Sequence, residues 1–473
     1  MTTQERAPTV RASQISEQLL QELREVLGSS SVLTGAAIEE RTTADWSEAE
    51  ARLPIAVLLP RTPEQVAGAL RVCNAHRARL VVQGGLTGLA GGANPQEGEI
   101  ALSLSRMDAI EDLDPVGGTA LVQAGVTLEK LQDAVAERGW LFPLDLGARG
   151  SCQLGGNAAT NAGGNRVLRY GMMRNLVLGL EAALPDGTLL TMLDRVIKNN
   201  AGFDLKQLFI GTEGSLGVIT RLSLALVPKP SSQMTVLCAV GSFDAALSLL
   251  REAKARLPGL SAFELMWRDF FDASLAALGK TSPFREQRPL YVLIETFAAS
   301  LELGTGAMEA FLENAMEREI VQDAIVAQSV AQAQQLWSYR EGVSELLSLC
   351  KPCAAFDVSV ATPRMDDLVD DLRSRLGALF PQQQHLFFGH LGDGNLHLIS
   401  GPFASDSDLE HAESLVYEAV GRFDGSISAE HGVGTIKRPF LHHSRSQEEV
   451  ALMRQLKAML DPHRILNRDR VFA

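Results

Sequence analysis

Histidine is scarce in this 473-residue chain, and eight of its nine copies lie beyond residue 384. Three of them sit in two short segments, Gly389-His-Leu-Gly-Asp-Gly-Asn-Leu-His397 and Ala429-Glu-His-Gly432. Imidazole is the commonest transition-metal ligand and the side chain best suited to proton transfer near neutral pH. Asp393-Gly394 separates two apolar stretches, a strong hairpin signal because both residues tolerate positive φ. A two-residue turn there pairs Gly392 with Asn395, Leu391 with Leu396, and His390 with His397. Opposed residues on one face of an antiparallel pair have Cβ atoms about 5 Å apart, so two imidazoles can converge on one ion. Glu430 can add an oxygen ligand, and His431 can act as a base. Either histidine alone reads as a half-buried hairpin residue; two on one face beside a Gly-Asp-Gly turn read as a metal site.

These segments need a frame, and the sequence predicts alternating strands and helices. After one helix at about 14–27, Ile55–Leu59 is a short apolar strand. Thr62-Pro63-Glu64 then opens a helix, with a capping hydroxyl and proline at its first position. Leu80-Val-Val82 is a strand that runs into glycines; further strands are expected at 99–104, 118–123 and 177–184, a helix at 127–138 and a hairpin at Asp186-Gly187. Pro228-Lys-Pro230 interrupts ladders and helices alike and marks a domain boundary. Beyond it the pattern gives a strand at 234–240, a helix begun by Ser242, a helix at 262–278, a strand at 290–297 and helices near 303–316 and 329–349. A strand-helix-hairpin set at 355–400 carries the histidines, and the whole reads as α+β with antiparallel strands.

Composition narrows the function classes. A hydrophobic fraction of 46% and a charged fraction of 21% describe a globular protein with about three domains or subdomains. With 43 basic against 57 acidic residues, a net charge of -14 and no basic tract, nucleic acid is a poor partner. No run approaches the length of a transmembrane helix, and the N-terminus lacks the apolar stretch of a signal peptide. Five cysteines, mostly isolated, suit a reducing compartment and a cytoplasmic location; Cys350-Lys-Pro-Cys353 reads as an incidental pair.

Two segments hold more glycine than packing requires. Gln83-Gly-Gly-Leu-Thr-Gly-Leu-Ala-Gly-Gly-Ala93 follows a strand, and Gly147-Ala-Arg-Gly-Ser-Cys-Gln-Leu-Gly-Gly-Asn157 leads to Thr160-Asn-Ala-Gly-Gly164. Successive amides in such loops can wrap a phosphate, and a pyrophosphate is the natural guest. Neither GxGxxG nor a Gly-Lys-Ser/Thr P-loop is present, so a different dinucleotide fold is needed. Gly211-Thr-Glu-Gly-Ser-Leu-Gly217 is a third, weaker turn.

The segments QGGLTGLAGGA, FPLDLGARGSCQLGGNAATNAGG, DLKQLFIGTEGSLGVIT, GHLGDGNLHL, ISAEHGVG and KAMLDPHRILN together resemble the FAD-linked oxidases of the vanillyl-alcohol oxidase and p-cresol methylhydroxylase type, in the D-2-hydroxyacid dehydrogenase branch. The resemblance spans roughly residues 50–473. It implies an FAD-binding domain over 1–229 (core 50–229), a substrate or cap domain over 230–425 built on an antiparallel sheet, and a C-terminal segment, 426–473, returning to the flavin. It implies that Gln83, Gly84, Gly85, Leu86, Thr87, Gly88 and Leu89 bind the FAD pyrophosphate. Pro143, Asp145, Ser151, Gly155, Gly156, Thr160 and Gly163 would line the flavin, Glu213, Gly214, Gly217 and Ile219 the adenine side, and Asn467 would return near the isoalloxazine. With no histidine in residues 77–384, the FAD is expected to be non-covalent. His390, His397 and Glu430 would hold a divalent metal, zinc in close relatives, with His431 as base and Arg340 and Ser344 in the substrate pocket.

The implied reaction oxidises a D-2-hydroxy acid to a 2-oxo acid, the hydroxyl proton going to His431 and the hydride to FAD. Arg340 by position alone reads as a surface ion pair with Glu341 or a neighbour; its planar fork also suits a carboxylate. Ala355 and Ile399 stand where D-2-hydroxyglutarate dehydrogenases of this branch carry lysine and asparagine, which widens the substrate choice to D-lactate, glycolate, D-malate and larger acids. Two other classes are weighed beside this one: a metal-dependent hydrolase using the histidine hairpin, and a non-catalytic nucleotide-binding protein. The electron acceptor is unidentified, and a homodimer is among the oligomeric states left open.

Overall fold

The computed structural model describes residues 17–47 and 49–472. The first helix runs over Glu17–Leu27, and the expected positions 14–16 lie outside the described residues. Two sheets build the N-terminal half. One is four-stranded, in the order Val32–Thr34, Ala56–Leu58, Ile100–Ser103, Leu80–Gln83, with the last three strands parallel. The crossover helix Pro63–Ala75 is capped by the Thr62 side chain accepting from Gln65 N at 3.3 Å, and it buries Val66, Leu70 and Cys73. The second sheet is five-stranded and antiparallel, and includes the hairpin Val177–Ala183 with Leu189–Met192.

The C-terminal half is organised by one antiparallel sheet of seven strands. Their order is Asp323–Val326, Ser232–Val240, Leu290–Ala298, Leu260–Trp267, Gln384–His390, Asn395–Gly401, Ala354–Ser359. Helices Phe243–Arg256, Leu301–Glu317, Met365–Leu379 and Asp406–Arg422 cover one face around a single apolar core. Arg268–Ala277, Val330–Glu341 and Val343–Leu349 contribute to a second core on the other face, which also holds a row of ionisable side chains.

That covering explains one wrong expectation. Residues 262–278 are not a single helix: Leu260–Trp267 is a central strand, buried at every position, and the helix begins only at Arg268. A strand covered on both faces loses the two-residue alternation that distinguishes it from helix. The expected helix 329–349 is broken at Gly342 into two.

The histidine hairpin forms with a different register. Leu391–Gly394 is a four-residue connection, so His390 pairs with Asn395 and Phe388 with His397. The pairing differs from the expected one by two residues, and an even slip leaves every side chain on its original face. His390 and His397 are therefore diagonal neighbours, with ring centroids 5.3 Å apart.

Candidate active site

Three adjacent ladders place the polar row. Glu264 pairs with His390, His390 with Asn395, and Asn395 with Ser359. The next rung runs Met266, Phe388, His397, Asp357. Directly paired residues share a face, so strand order alone brings two carboxylates and two imidazoles together. The loop after Ser426 then lays Glu430 and His431 over this face: Asp357 Oδ2 accepts the backbone N–H groups of both, each at 2.9 Å.

One ligand atom each from His390, His397 and Glu430 lies within 4.8 Å of the others, a spacing that can close on a divalent cation. The surroundings suit that role. His390 Nδ1 donates to Glu264 Oε1 at 2.7 Å, the carboxylate–imidazole arrangement that orients a ligating histidine and raises its basicity. Burial lowers the His390 pKa, but the Glu264 carboxylate outweighs it and lifts the group to about 9. Arg340 Nη2 stands 3.4 Å from His390 Nε2, and a guanidinium can only donate; a pKa near 9 puts a second proton on the free imidazole, which a bound cation would displace from Nε2. Burial, reinforced by Arg340, holds His397 well below its ordinary value and leaves it neutral. Burial raises Glu430 to about 7, where a cation would restore its charge. Asn395, beside His390, buries both amide atoms without a hydrogen-bond partner. Orphaned polar atoms next to a histidine pair are what a cation with its bound water, or a polar substrate, would satisfy.

Arg340 is neither exposed nor paired with Glu341. It is 6% exposed, donates from Nε to Glu264 at 2.9 Å and lies 4.6 Å above the Phe388 ring. Glu264 thus anchors both Arg340 and His390, although its carboxylate stands 1% exposed. Sequence reasoning missed it because its strand was read as helix. Asp357 was missed too; a lone aspartate in an edge-strand pattern carries no local signal.

The glycine segments form the facing wall. Gly84, Gly85, Leu86, Thr87, Gly88, Leu89, Gly155, Gly156, Thr160, Gly163, Glu213, Gly214, Gly217, Ile219 and Asn467 line a cleft of about 590 Å³ that also includes Ser344, Glu430 and His431. A second cavity of about 820 Å³, lined in part by Ser151, meets it at Gly84–Leu86, giving a long trough. Gln83 lies behind the wall, its amide donating to the Thr42 and Ala93 carbonyls, and Pro143 and Asp145 lie off both cavities. Asp145 instead pairs with Arg166 at 3.4 Å. A Cβ built on Gly156 meets no protein atom within 4 Å, so packing does not demand glycine there, and the residue lines the cleft. Gly85 is a tighter case, its Cβ falling 2.0 Å from the Ser151 carbonyl. The trough, its glycines and its exposed amides suit a dinucleotide such as FAD.

His431 also lines the cleft; its side chain keeps 28% of its surface open, with Nδ1 3.6 Å from Asp357 Oδ2. Burial pushes its pKa below the usual histidine value, and the Asp357 carboxylate only partly opposes this. A neutral imidazole lining the cleft can accept a proton.

Comparison with known proteins gives the family and the fold. Residues 54–193 match the family model for an FAD binding domain, and residues 229–471 that for FAD linked oxidases, C-terminal domain. The chain is 42% identical over 470 residues to the mitochondrial D-2-hydroxyglutarate dehydrogenase of Bos taurus, covering 98% of this chain and 86% of that one. It is 41% identical over 437 residues to the D-2-hydroxyglutarate dehydrogenase of Xanthomonas citri pv. viticola, covering 90% and 91%. A Schizosaccharomyces pombe protein, named provisionally a mitochondrial D-lactate dehydrogenase, is 40% identical over 472 residues, covering 96% and 90%. Among solved structures, p-cresol methylhydroxylase with substrate bound superposes with a TM-score of 0.77 at 16% identity over 96% of each chain. The chain belongs to the FAD-linked oxidases and carries the p-cresol methylhydroxylase fold.

Proposed function

We propose that this protein is an FAD-dependent dehydrogenase that oxidises a D-2-hydroxy acid to the 2-oxo acid. One observation carries the reading: the glycine-lined cleft and the His390, His397, Glu430 and His431 cluster adjoin, with Glu430 and His431 belonging to both. When bound, non-covalent FAD supplies a two-electron sink, and a divalent metal, zinc in this reading, supplies a Lewis acid for the substrate hydroxyl. His390, His397 and Glu430 hold the metal. Of the pyrophosphate and flavin contacts named above, those that line the two cavities would hold the cofactor, Pro143 and Asp145 lying off them, with Gln83 keeping the loop closed from behind.

The protein's own groups then account for the proton and the orientation. His431 has Nδ1 turned to Asp357, so Nε2 takes the hydroxyl proton while the C2 hydrogen leaves with its electron pair. Arg340, held rigid by Glu264 and Phe388, offers its remaining amino group to the substrate carboxylate, with Ser344 nearby. Ala355 and Ile399 pair directly, one rung from Asp357 and His397 on the same face. That rung has no polar group for a second carboxylate, which favours D-lactate or another monocarboxylate over D-2-hydroxyglutarate.

No helix among the described residues is long and apolar enough to cross a membrane. No disulfide joins the five buried cysteines, and a cytoplasmic location remains our proposal, to be checked by fractionation. The decisive experiment is anaerobic mixing of the yellow protein with a panel of D- and L-2-hydroxy acids. Bleaching of the flavin by a D-acid is expected, and no bleaching by any member overturns the reading. A colourless preparation that hydrolyses esters or amides would favour the hydrolase alternative.

A further inference from the structure

The segment carrying the proposed base, Glu430–Gly434, has little regular structure of its own, yet its backbone is held from two sides by carboxylates, Asp357 fully buried and Glu213 half-buried. Asp357, on the edge strand of the seven-stranded sheet, accepts the N–H groups of Glu430 and His431 at 2.9 Å each. Glu213, from the turn that lines the cleft, accepts the N–H groups of Val433 and Gly434 at 2.7 and 2.9 Å. Between the two pairs stands Gly432, with φ of 81° and no room for a Cβ, which would lie 2.8 Å from Glu213 Oε1. Glu213 itself is a non-glycine residue at φ 52°, a conformation L side chains rarely take. Strain of this kind persists where surroundings over-determine it.

We propose that Glu213 and Asp357 are paired positioning residues that clamp the Glu430–Gly434 loop between the cleft and the substrate sheet, fixing His431 relative to both. This deepens the dehydrogenase reading and rests on it for the role of His431. The clamp also reassigns Glu213: its carboxylate is committed to the base loop, although the residue is among those that line the cleft, where an adenine contact was expected. Lys437 supports the other jaw, its ammonium 3.6 Å from Asp357 Oδ2 and donating to the Asp357 carbonyl at 3.3 Å. Each jaw comes from a different half of the chain, so either half could be perturbed and the shift felt at His431.

The test uses Glu213→Gln, Glu213→Asp and Asp357→Asn in the full-length purified protein, each checked for folding by thermal melting. In Glu213→Gln the amide can accept one of the two N–H groups but presents its own donor to the other, whereas in Asp357→Asn one carbonyl oxygen can still take both and what they lose is the charge of their acceptor. Hydrogen exchange of peptides spanning residues 429–436 should therefore accelerate about tenfold or more in Glu213→Gln, the scale of a lost hydrogen bond to a charged group. Turnover should fall about 100-fold, the scale of a small displacement of a reacting group, with KM changed less than about threefold and flavin content kept. Glu213→Asp retains the charge and should fall between. Asp357→Asn should accelerate exchange at the 430–431 end and lower turnover in the same way; if one variant unfolds, the others carry the test. Unchanged exchange and turnover, or a loss of flavin affinity alone, would overturn the clamp. Exchange reports on the clamp even if no hydroxy acid reduces the wild-type flavin, so the two proposals fail separately.

Discussion

The two walls of the cleft are built on opposite plans. The N-terminal wall is rich in glycine: Gly84 and Gly85 lie in the turn that ends the parallel strand Leu80–Gln83, and Gly155 and Gly156 in the short helix Leu154–Ala159. The C-terminal wall is rich in buried ionisable groups, each with a partner: Glu264 with Arg340 and His390, Asp357 with the His431 loop and Lys437. Backbone amides have no pKa in the working range, so the first wall should bind its guest by shape and dipole, indifferent to pH and to most substitutions except those that add volume. The second depends on charges placed in low dielectric, where removing one partner strands the other.

Five measurements sharpen or break that contrast. The largest effect is expected for His431→Ala: flavin reduction by substrate should slow about 10²- to 10⁴-fold, the contribution of a positioned base, while flavin absorbance stays. Loss of the flavin instead would show that the walls are not separable. His397→Ala should abolish stoichiometric metal in elemental analysis and leave flavin content unchanged. Glu264→Gln, one shell further out, should weaken metal affinity by about 10- to 100-fold through the freed His390 ring. Gly156→Val should do the converse, filling open space on the first wall, lowering flavin content and sparing bound metal. The smallest effect concerns pH. His431 accepts a proton only when neutral, and burial lowers its pKa below 6.5. Activity should therefore rise with pH through a midpoint below 6.5, and Asp357→Asn, which removes the opposing carboxylate, should move that midpoint lower still. A midpoint above 6.5 would contradict the burial of His431.

How far the sequence could be read depended on whether the signal was local. The capped helix after Thr62, the Asp186-Gly187 hairpin and the glycine segments lie where expected, because capping, turn formation and positive φ are decided within a few residues. His390 and His397 converge as expected despite a register error of two, because face depends only on parity. Leu260–Trp267 was unreadable for the opposite reason: burial on both faces erases alternation, and Glu264 vanished with it.

The sequence by itself therefore determined which residues could do chemistry, which loops could wrap a phosphate, and which face the histidines share. Tertiary structure alone decided what those residues rest on. Glu264 meets His390 because two strands 126 residues apart became neighbours. Asp357 and Glu213 grip one loop from separate halves of the chain, 74 and 220 residues away from it. Hydrogen bonds and ion pairs across such separations depend on strand order and packing, and neither leaves a mark in the spacing of nearby residues.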